Sequence, residues 1–425
     1  MSRQCYAFVR ASRSHPTMDT RLVALAIPFF FLLIGVEVVV SRVQRVRRYR
    51  LHDAVASMAC GIGEQVIVVF TAGLSVVAYL FVERHFALAR FSMTSPLAWI
   101  VVFFLVDHSY YWFHRTSHRV NFMWAGHSVH HQSEEYNLST ALRQNWIENL
   151  LAWPFYVPLA ILGFPFAMFA TASTVNLLYQ FWVHTRIIRL LGPAEGILNT
   201  PSSHRVHHGI DPKYVDKNYG GMFMLWDRTY GTYTPEEEEP IYGTVKPLQS
   251  WNPLWANIDG WVRLASMSRA TSGFGDKLRV WFAPPDWRPQ DLGGPVIVPE
   301  VDRAVYKKYD PESPAAVDRY VLVQFAIVAA VTSAIMWFAS TLSAVFLVAG
   351  ATWVIAGLVA WGALFEGKRW GIPIECARYV LGVVLVAGVF SRGWVAVLVA
   401  LALAFASTVL LVLASRSLAR PLGPA

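Results

Sequence analysis

Cysteine is nearly absent. The 425 residues hold three, Cys5, Cys60 and Cys376, far apart. With no CxxC pair, neither a thiolate zinc site nor a disulfide framework is suggested. Any metal here must rest on nitrogen and oxygen. Charge is also scarce: 15% of residues, against about a quarter in an ordinary soluble domain. That deficit argues against a soluble globule. Internal repeats and low-complexity tracts are missing too. What fills the space is apolar: 55% of residues, gathered in long runs that point to membrane spans. The net charge of +8 suits an anionic membrane surface. The basic residues flank apolar runs and form no separate domain, so nucleic acid is not an expected partner.

The runs predict an all-α, polytopic membrane protein. Residues 1–20 read as a flexible tail, or as an upstream start ahead of Met18. Leu22–Val40 is the first span; it is too long, and lacks the small-residue cleavage site, for a secretory signal. The stretch SRVQRVRRYR after it carries five arginines, which biases that loop slightly toward the cytoplasm. Further spans are expected at Val66–Val82 and Leu97–Phe113. A two-span hairpin is expected within Leu150–Val183, turning at the GFP of 163–165. Four more runs follow, near 319–339, 343–364, 377–390 and 394–414. Counting crossings puts His114, His184 and the basic loop 366–369 on the cytoplasmic side. The expected division is a tail (1–20), a membrane-embedded histidine domain (21–240), a cytoplasmic membrane-associated segment (241–316) and C-terminal transmembrane helices (317–425). EEEE at 236–239 reads as a solvated loop.

Histidine is what the chain has in excess, and in order. His114 and His118 form HxxxH. His127, His130 and His131 form HxxHH, and so do His204, His207 and His208. On a helix, residues three and four apart share a face, so each motif aims its rings at one point. Asp107, Tyr111, His114 and His118 follow 4, 3, 4 spacing and line one stripe. Eight imidazoles exceed one tetrahedral zinc and suit two ions with a position left open. Imidazole alone does not choose the metal; an all-nitrogen dinuclear site at a membrane surface favours iron and O2. His184 is a ninth ligand or a supporting donor. Asp107, Glu134 and Glu135 are placed to orient ligand rings. Tyr111, Asp107 and Glu134 are the candidate catalytic residues.

Other histidines have a plainer reading. His15, His52 and His85 stand alone, and His108 sits about 100° off the stripe. Tyr110, Trp112, Trp124 and Trp182 suit an interfacial aromatic belt, and Arg143, Asn145 and Lys217 suit packing more than head-group contact. A metal transporter or sensor would place ionisable groups mid-membrane, whereas these cluster at one interface. A zinc hydrolase would want HExxH, and bis-histidine haem would want rings facing each other across spans.

The motifs HRTSH, HSVHH and HRVHH resemble those of the fatty acid hydroxylase or sterol desaturase superfamily. More narrowly, DHSYYWFHRTSHRVNFMWAGHSVHHQSEEYNLSTALRQ at 107–144 is similar to the core of the alkylglycerol monooxygenases. So is FWVHTRIIRLLGPAEGILNTPSSHRVHHGIDPKYVDKNYGGMFMLWDRTYGTY at 181–233. The resemblance implies a membrane diiron monooxygenase that hydroxylates a lipid C–H bond with O2. Its product from an alkylglycerol ether would collapse to glycerol and a fatty aldehyde. It also implies two irons held by the eight motif histidines, a membrane lipid as substrate, and an electron donor, either reduced tetrahydropterin (tetrahydrobiopterin) or a redox protein. One position departs: where those enzymes carry a glutamate directly after HxxxH, this chain has Arg119. That keeps open hydroxylation or desaturation of another lipid, such as a fatty acyl, sterol-like or amino lipid.

Overall fold

Local signals set the helix starts. Ser95 accepts from Ala98 N ahead of Pro96, and Thr200 accepts from Ser203 N ahead of Pro201. A polar cap followed by proline at the first helical position is a strong start. The computed structural model describes residues 20–389 and 394–418. The tail expected over 1–20 therefore lies, apart from Thr20, outside the described residues.

Among the described residues there are fourteen α-helices and no strand. They are α1 (Thr20–Val43), α2 (Leu51–Phe86), α3 (Pro96–Arg119), α4 (Asn121–His131), α5 (Glu148–Leu162), α6 (Phe166–Trp182) and α7 (Pro201–His207). Then come α8 (Leu225–Tyr230), α9 (Pro253–Ala270), α10 (Phe274–Phe282), α11 (Ala315–Phe338), α12 (Ala344–Phe365), α13 (Gly371–Val389) and α14 (Trp394–Leu418).

Six are long and apolar enough to cross a membrane: α1 from Leu25, α2, and α11 to α14. The expected spans at 97–113 and 150–183 differ. They form helices, but the second half of α3 is polar, and α5 and α6 have only 15 and 17 residues. At about 1.5 Å per residue these two fall short of a hydrocarbon core of about 30 Å. The second expected span is part of a longer helix: α2 runs 36 residues, and its first half is the more buried one.

The turn at 163–165 is where the sequence predicts it. Gly163 has φ 96°, and a Cβ there would collide with the Ala89 carbonyl. Leu88 N donates to Ile161 O, and Phe91 N to Gly163 O, so this turn lies at the end of α5 away from the histidines. Both arms pack on α3 and straddle it.

Two apolar cores share α2. One joins α2 to α11–α14 through residues such as Val55, Val66, Val321, Leu358 and Leu411. The other joins its far end to α3, α5 and α6 through Tyr79, Val102, Leu159 and Met168. Inside the C-terminal helices Glu375 and Arg378 are fully buried together, with Tyr320, Gln324 and Tyr379 as partners.

The polar segments meet at one pole. Arg50 Nε donates to Glu135 Oε1 at 2.7 Å, and Tyr309 N to Glu134 Oε2 at 2.6 Å. Ser250 Oγ donates to Glu366 Oε1 at 2.7 Å. The loops around 50, 134, 250, 309 and 366 thus close over the pole where α3 ends.

Candidate metal centre

All nine singled-out histidines are buried, between 1% and 6% exposed. Their ligand atoms fall into two groups. One is His114, His118, His127, His131 and His207; the other is His130, His184, His204 and His208. Within each group the nitrogens lie within 4.8 Å of one another. Each HxxHH motif is divided between the groups, rather than aimed at one point. Residues four apart stay together (His114/His118, His127/His131, His204/His208), while the residue three along goes to the other group. An i+4 step displaces a side chain by about 40° and an i+3 step by about 60° the other way. One motif therefore serves two neighbouring ligand groups, in two directions.

The supporting contacts fix the ring tautomers. His114 Nδ1 lies 2.8 Å from Tyr219 O, His130 Nδ1 3.0 Å from Arg143 O, His207 Nδ1 2.9 Å from Lys217 O and His184 Nδ1 2.8 Å from Gln180 O. A carbonyl only accepts, so each of these rings carries its proton on Nδ1 and turns the Nε2 lone pair inward. His130 and His184 then face each other, Nε2 to Nε2 at 3.2 Å. Two lone pairs in contact repel, and a proton between them is disfavoured. Burial pushes the His184 ring down to about 4, and His130 well below its ordinary 6.5. A cation relieves the conflict: two nitrogens about 2.1 Å from one ion, at near right angles, stand about 3 Å apart. Nε2 of His114, His118 and His127 is likewise buried without a partner. The residues fit a pair of metal ions.

Loop residues hold the cage. Asp227 accepts from Tyr219 N, Gly220 N and the Thr232 hydroxyl, fixing the turn that presents the Tyr219 carbonyl. Asn218 Nδ2 donates to Ser203 O and Thr234 O, tying that turn to α7. Buried Arg205 donates to Glu236 at 2.7 and 2.6 Å and to the carbonyls of Thr185, Ile188 and Arg189. The acidic run read as a solvated loop thus begins with a lock on α7.

Asp107, Tyr111, Glu134, His108 and the Arg143 side chain lie off the rings, whereas Tyr110 packs on His114 and Trp124 on His118 and His131. Asp107 belongs to neither group. It accepts from Asn176 Nδ2, Met222 N, Phe223 N and Trp226 Nε1, at 2.7, 2.7, 3.3 and 2.9 Å. Tyr111 sends its hydroxyl to Thr232 Oγ1 and stacks on Tyr230. Glu134 meets Arg50 and Tyr309 N. Arg143 Nε donates to Val129 O, and His108 Nε2 lies 3.0 Å from Tyr230 OH.

Four residues that the sequence reading did not single out do reach the histidines. Tyr136 stacks on His184 and packs against His208, and Tyr219 packs against His114, His118 and His207. Glu148 Oε1 is 3.2 Å from His127 Nδ1. Asp216 Oδ1 is 3.6 Å from His118 Nδ1, and its other oxygen accepts from Arg119. The cation at 119 therefore carries an acid to its neighbouring histidine.

Asp107 reads as a clamp on the 220–226 loop. Asp107→Ala should cost about 3–5 kcal/mol by orphaning buried donors and lower the melting midpoint by several degrees. Asp107→Asn should keep two metals per chain. Loss of metal at unchanged midpoint would make Asp107 a ligand instead.

Comparison with known proteins gives this geometry its lineage. A fatty acid hydroxylase family model matches residues 99–232, the span of the cage. The chain is 37% identical over 355 residues to an alkylglycerol monooxygenase of Xenopus tropicalis, covering 83% of this chain and 79% of that one. It is 37% identical over 363 residues to that of Homo sapiens, covering 85% and 81%. An ornithine lipid hydroxylase, OlsE of Rhizobium tropici, is 29% identical over 141 residues, covering 32% and 43%. No solved structure matches. The six spans and these relatives make this an integral membrane protein. By extent and identity, the chain belongs to the alkylglycerol monooxygenase family and carries its fatty acid hydroxylase domain.

Proposed function

We propose that this lipid monooxygenase hydroxylates the carbon next to the ether oxygen of alkylglycerols, using two irons and O2. The observation that carries the reading is the two buried imidazole groups, in one of which the His130 and His184 lone pairs face each other. His114, His118, His127, His131 and His207 would hold one ion; His130, His184, His204 and His208 the other. Bound iron supplies the activation of O2 for insertion into a C–H bond. One oxygen atom enters the lipid, and the other leaves as water with two electrons and two protons from a donor. The hemiacetal then splits to a fatty aldehyde and glycerol. The protein's own part is to orient the rings through Nδ1, to exclude water with Tyr136 and Tyr219, and to align the chain. Reduced tetrahydropterin is the proposed donor. Asp107, Tyr111 and Glu134 are assigned to positioning.

The active pole faces the cytoplasm in this reading. Support comes from the arginines of the 42–50 loop and from Lys368 and Arg369, which share that pole. The second reading is a hydroxylase of another lipid. It rests on Arg119, which stands where the family's glutamate is expected.

The test supplies purified, iron-loaded protein in detergent with an alkylglycerol, O2 and reduced tetrahydropterin. Two irons per chain, by mass spectrometry, and pterin-dependent aldehyde are expected. Two irons without aldehyde would favour the second reading, and no iron after anaerobic Fe(II) loading would sink both.

A further inference from the structure

Glu148 opens α5 beside the five-histidine group. One of its oxygens serves His127; the other, Oε2, is buried and has no partner. Next to it, Asn149 donates through Nδ2 to Thr71 Oγ1 at 3.2 Å, and its Oδ1 is also buried and unpartnered. An unmet buried acceptor is costly, and here two stand on one helical turn. Neither residue belongs to a metal group.

The facing wall is polar in an otherwise apolar helix. On α2, Glu64, Thr71 and Ser75 share a face at offsets of 7 and 11. Ser75 Oγ is buried without a partner. Tyr110 of α3 and Tyr156 of α5 also lie close enough to Glu148 to feel its charge. The Tyr110 ring also packs 5.2 Å from that of His114. Polar groups at membrane depth mark substrate paths.

We propose that Glu148 and Asn149 accept the two hydroxyls of a vicinal-diol lipid head group and hold it beside the five-histidine group. The proposal rests on the alkylglycerol reading and names the residues that select its head group. Both unmet atoms want donors, and a diol brings two. The Tyr110 and Tyr156 hydroxyls are donors nearby, and a diol oxygen can accept from them where an ammonium cannot. A phosphate brings no donor and meets two carboxylates. Glu148 would thus link head-group recognition to the orientation of a ligand ring, as a positioning residue with one oxygen on each task.

The test is anaerobic equilibrium binding, so that no turnover intervenes, to metal-loaded protein in detergent. The probes are 1-O-hexadecylglycerol and hexadecyl propyl ether, which has the same skeleton without the two hydroxyls. The native protein should bind the diol about tenfold tighter or more. Asn149→Leu and Glu148→Gln should each remove most of that preference and leave propyl ether affinity within about twofold. Asn149→Leu should retain two metals per chain; if Glu148→Gln loses metal, the Asn149→Leu ratio decides. Equal affinity for both ethers in the native protein would overturn the proposal. So would a preference that survives Asn149→Leu, or tighter binding of hexadecylammonium or hexadecyl phosphate. Aerobic turnover separates the two levels. Aldehyde from both ethers at equal rates leaves the monooxygenase reading standing and removes this one; aldehyde from neither removes the reading beneath it.

Discussion

His207→Ala and His204→Ala will each abolish lipid oxidation, by at least a thousandfold, while failing in different metal sites. His207 belongs to the five-nitrogen group and His204 to the four-nitrogen group. Each contributes a buried ring whose Nε2 lies 3.1 or 3.0 Å from another ring nitrogen of its group, that of His131 or His184. Removing a ring leaves a site short of one donor and a void beside the survivors. Metal content should fall from two per chain toward one in either variant. His204→Ala should suffer more, since its group starts with four rings. Loss of one supporting contact to a ligand ordinarily costs about 10–100-fold in metal affinity or activity, and loss of a ligand itself costs more. His108→Ala and His52→Ala are the controls. His108 bonds Tyr230, and His52 sits between Asp310 and Asp318, so both should keep two metals. Full metal content in His207→Ala, or loss of metal in His108→Ala, would redraw the site.

The rings were legible because histidine at three- and four-residue spacing has few other uses. The nine motif and near-motif histidines gather, and His52, His85 and His108, which stand outside the motifs, do not. Their division between two groups was not legible. Helical spacing says which face a residue shares, and the sign of a 40° or 60° offset matters only when two ligand groups lie side by side. The acids were missed for another reason. Glu148 and Asp216 reach His127 and His118 from other elements, 21 and 98 residues along the chain, and sequence proximity favoured Glu134 and Glu135 instead. Those two are taken by Arg50, Lys308 and Tyr309 N. Glu236 was misread because a run of four glutamates looks solvated, and its buried partner Arg205 lies 31 residues away. Hydropathy placed six spans, but the three others expected, at 97–113 and the two within 150–183, are helices too short or too polar to cross; α5 stops at Gly163, and α2 begins 15 residues before the expected Val66.

Acid should weaken the fold, while the folded cage stays ready for metal. Burial holds eight rings neutral: His114, His130, His131, His204, His207 and His208 lie well below the ordinary 6.5, and His118 and His184 fall to about 4. In the unfolded chain the same rings take protons near 6.5. Below that pH the unfolded state binds more protons than the folded one, so stability rises with pH and is lost on acidification. Each ring contributes a slope of about 1.4 kcal/mol per pH unit once its unfolded form is fully protonated. For His118 and His184 the window runs from about 6.5 down to about 4. The melting midpoint of the metal-free protein should therefore be flat from pH 8.5 to 7 and fall steadily from 6.5 to 5. Metal binding behaves differently. A ring already neutral in the folded site releases no proton when it binds, so affinity of the folded protein for Zn(II), a redox-silent probe, should change little between pH 7.5 and 5.5. A histidine peptide with ordinary rings would lose affinity across that range. A midpoint that holds steady or rises from pH 6.5 to 5, or a zinc affinity that drops in step with free imidazole, would show the rings to be solvated and the cage open.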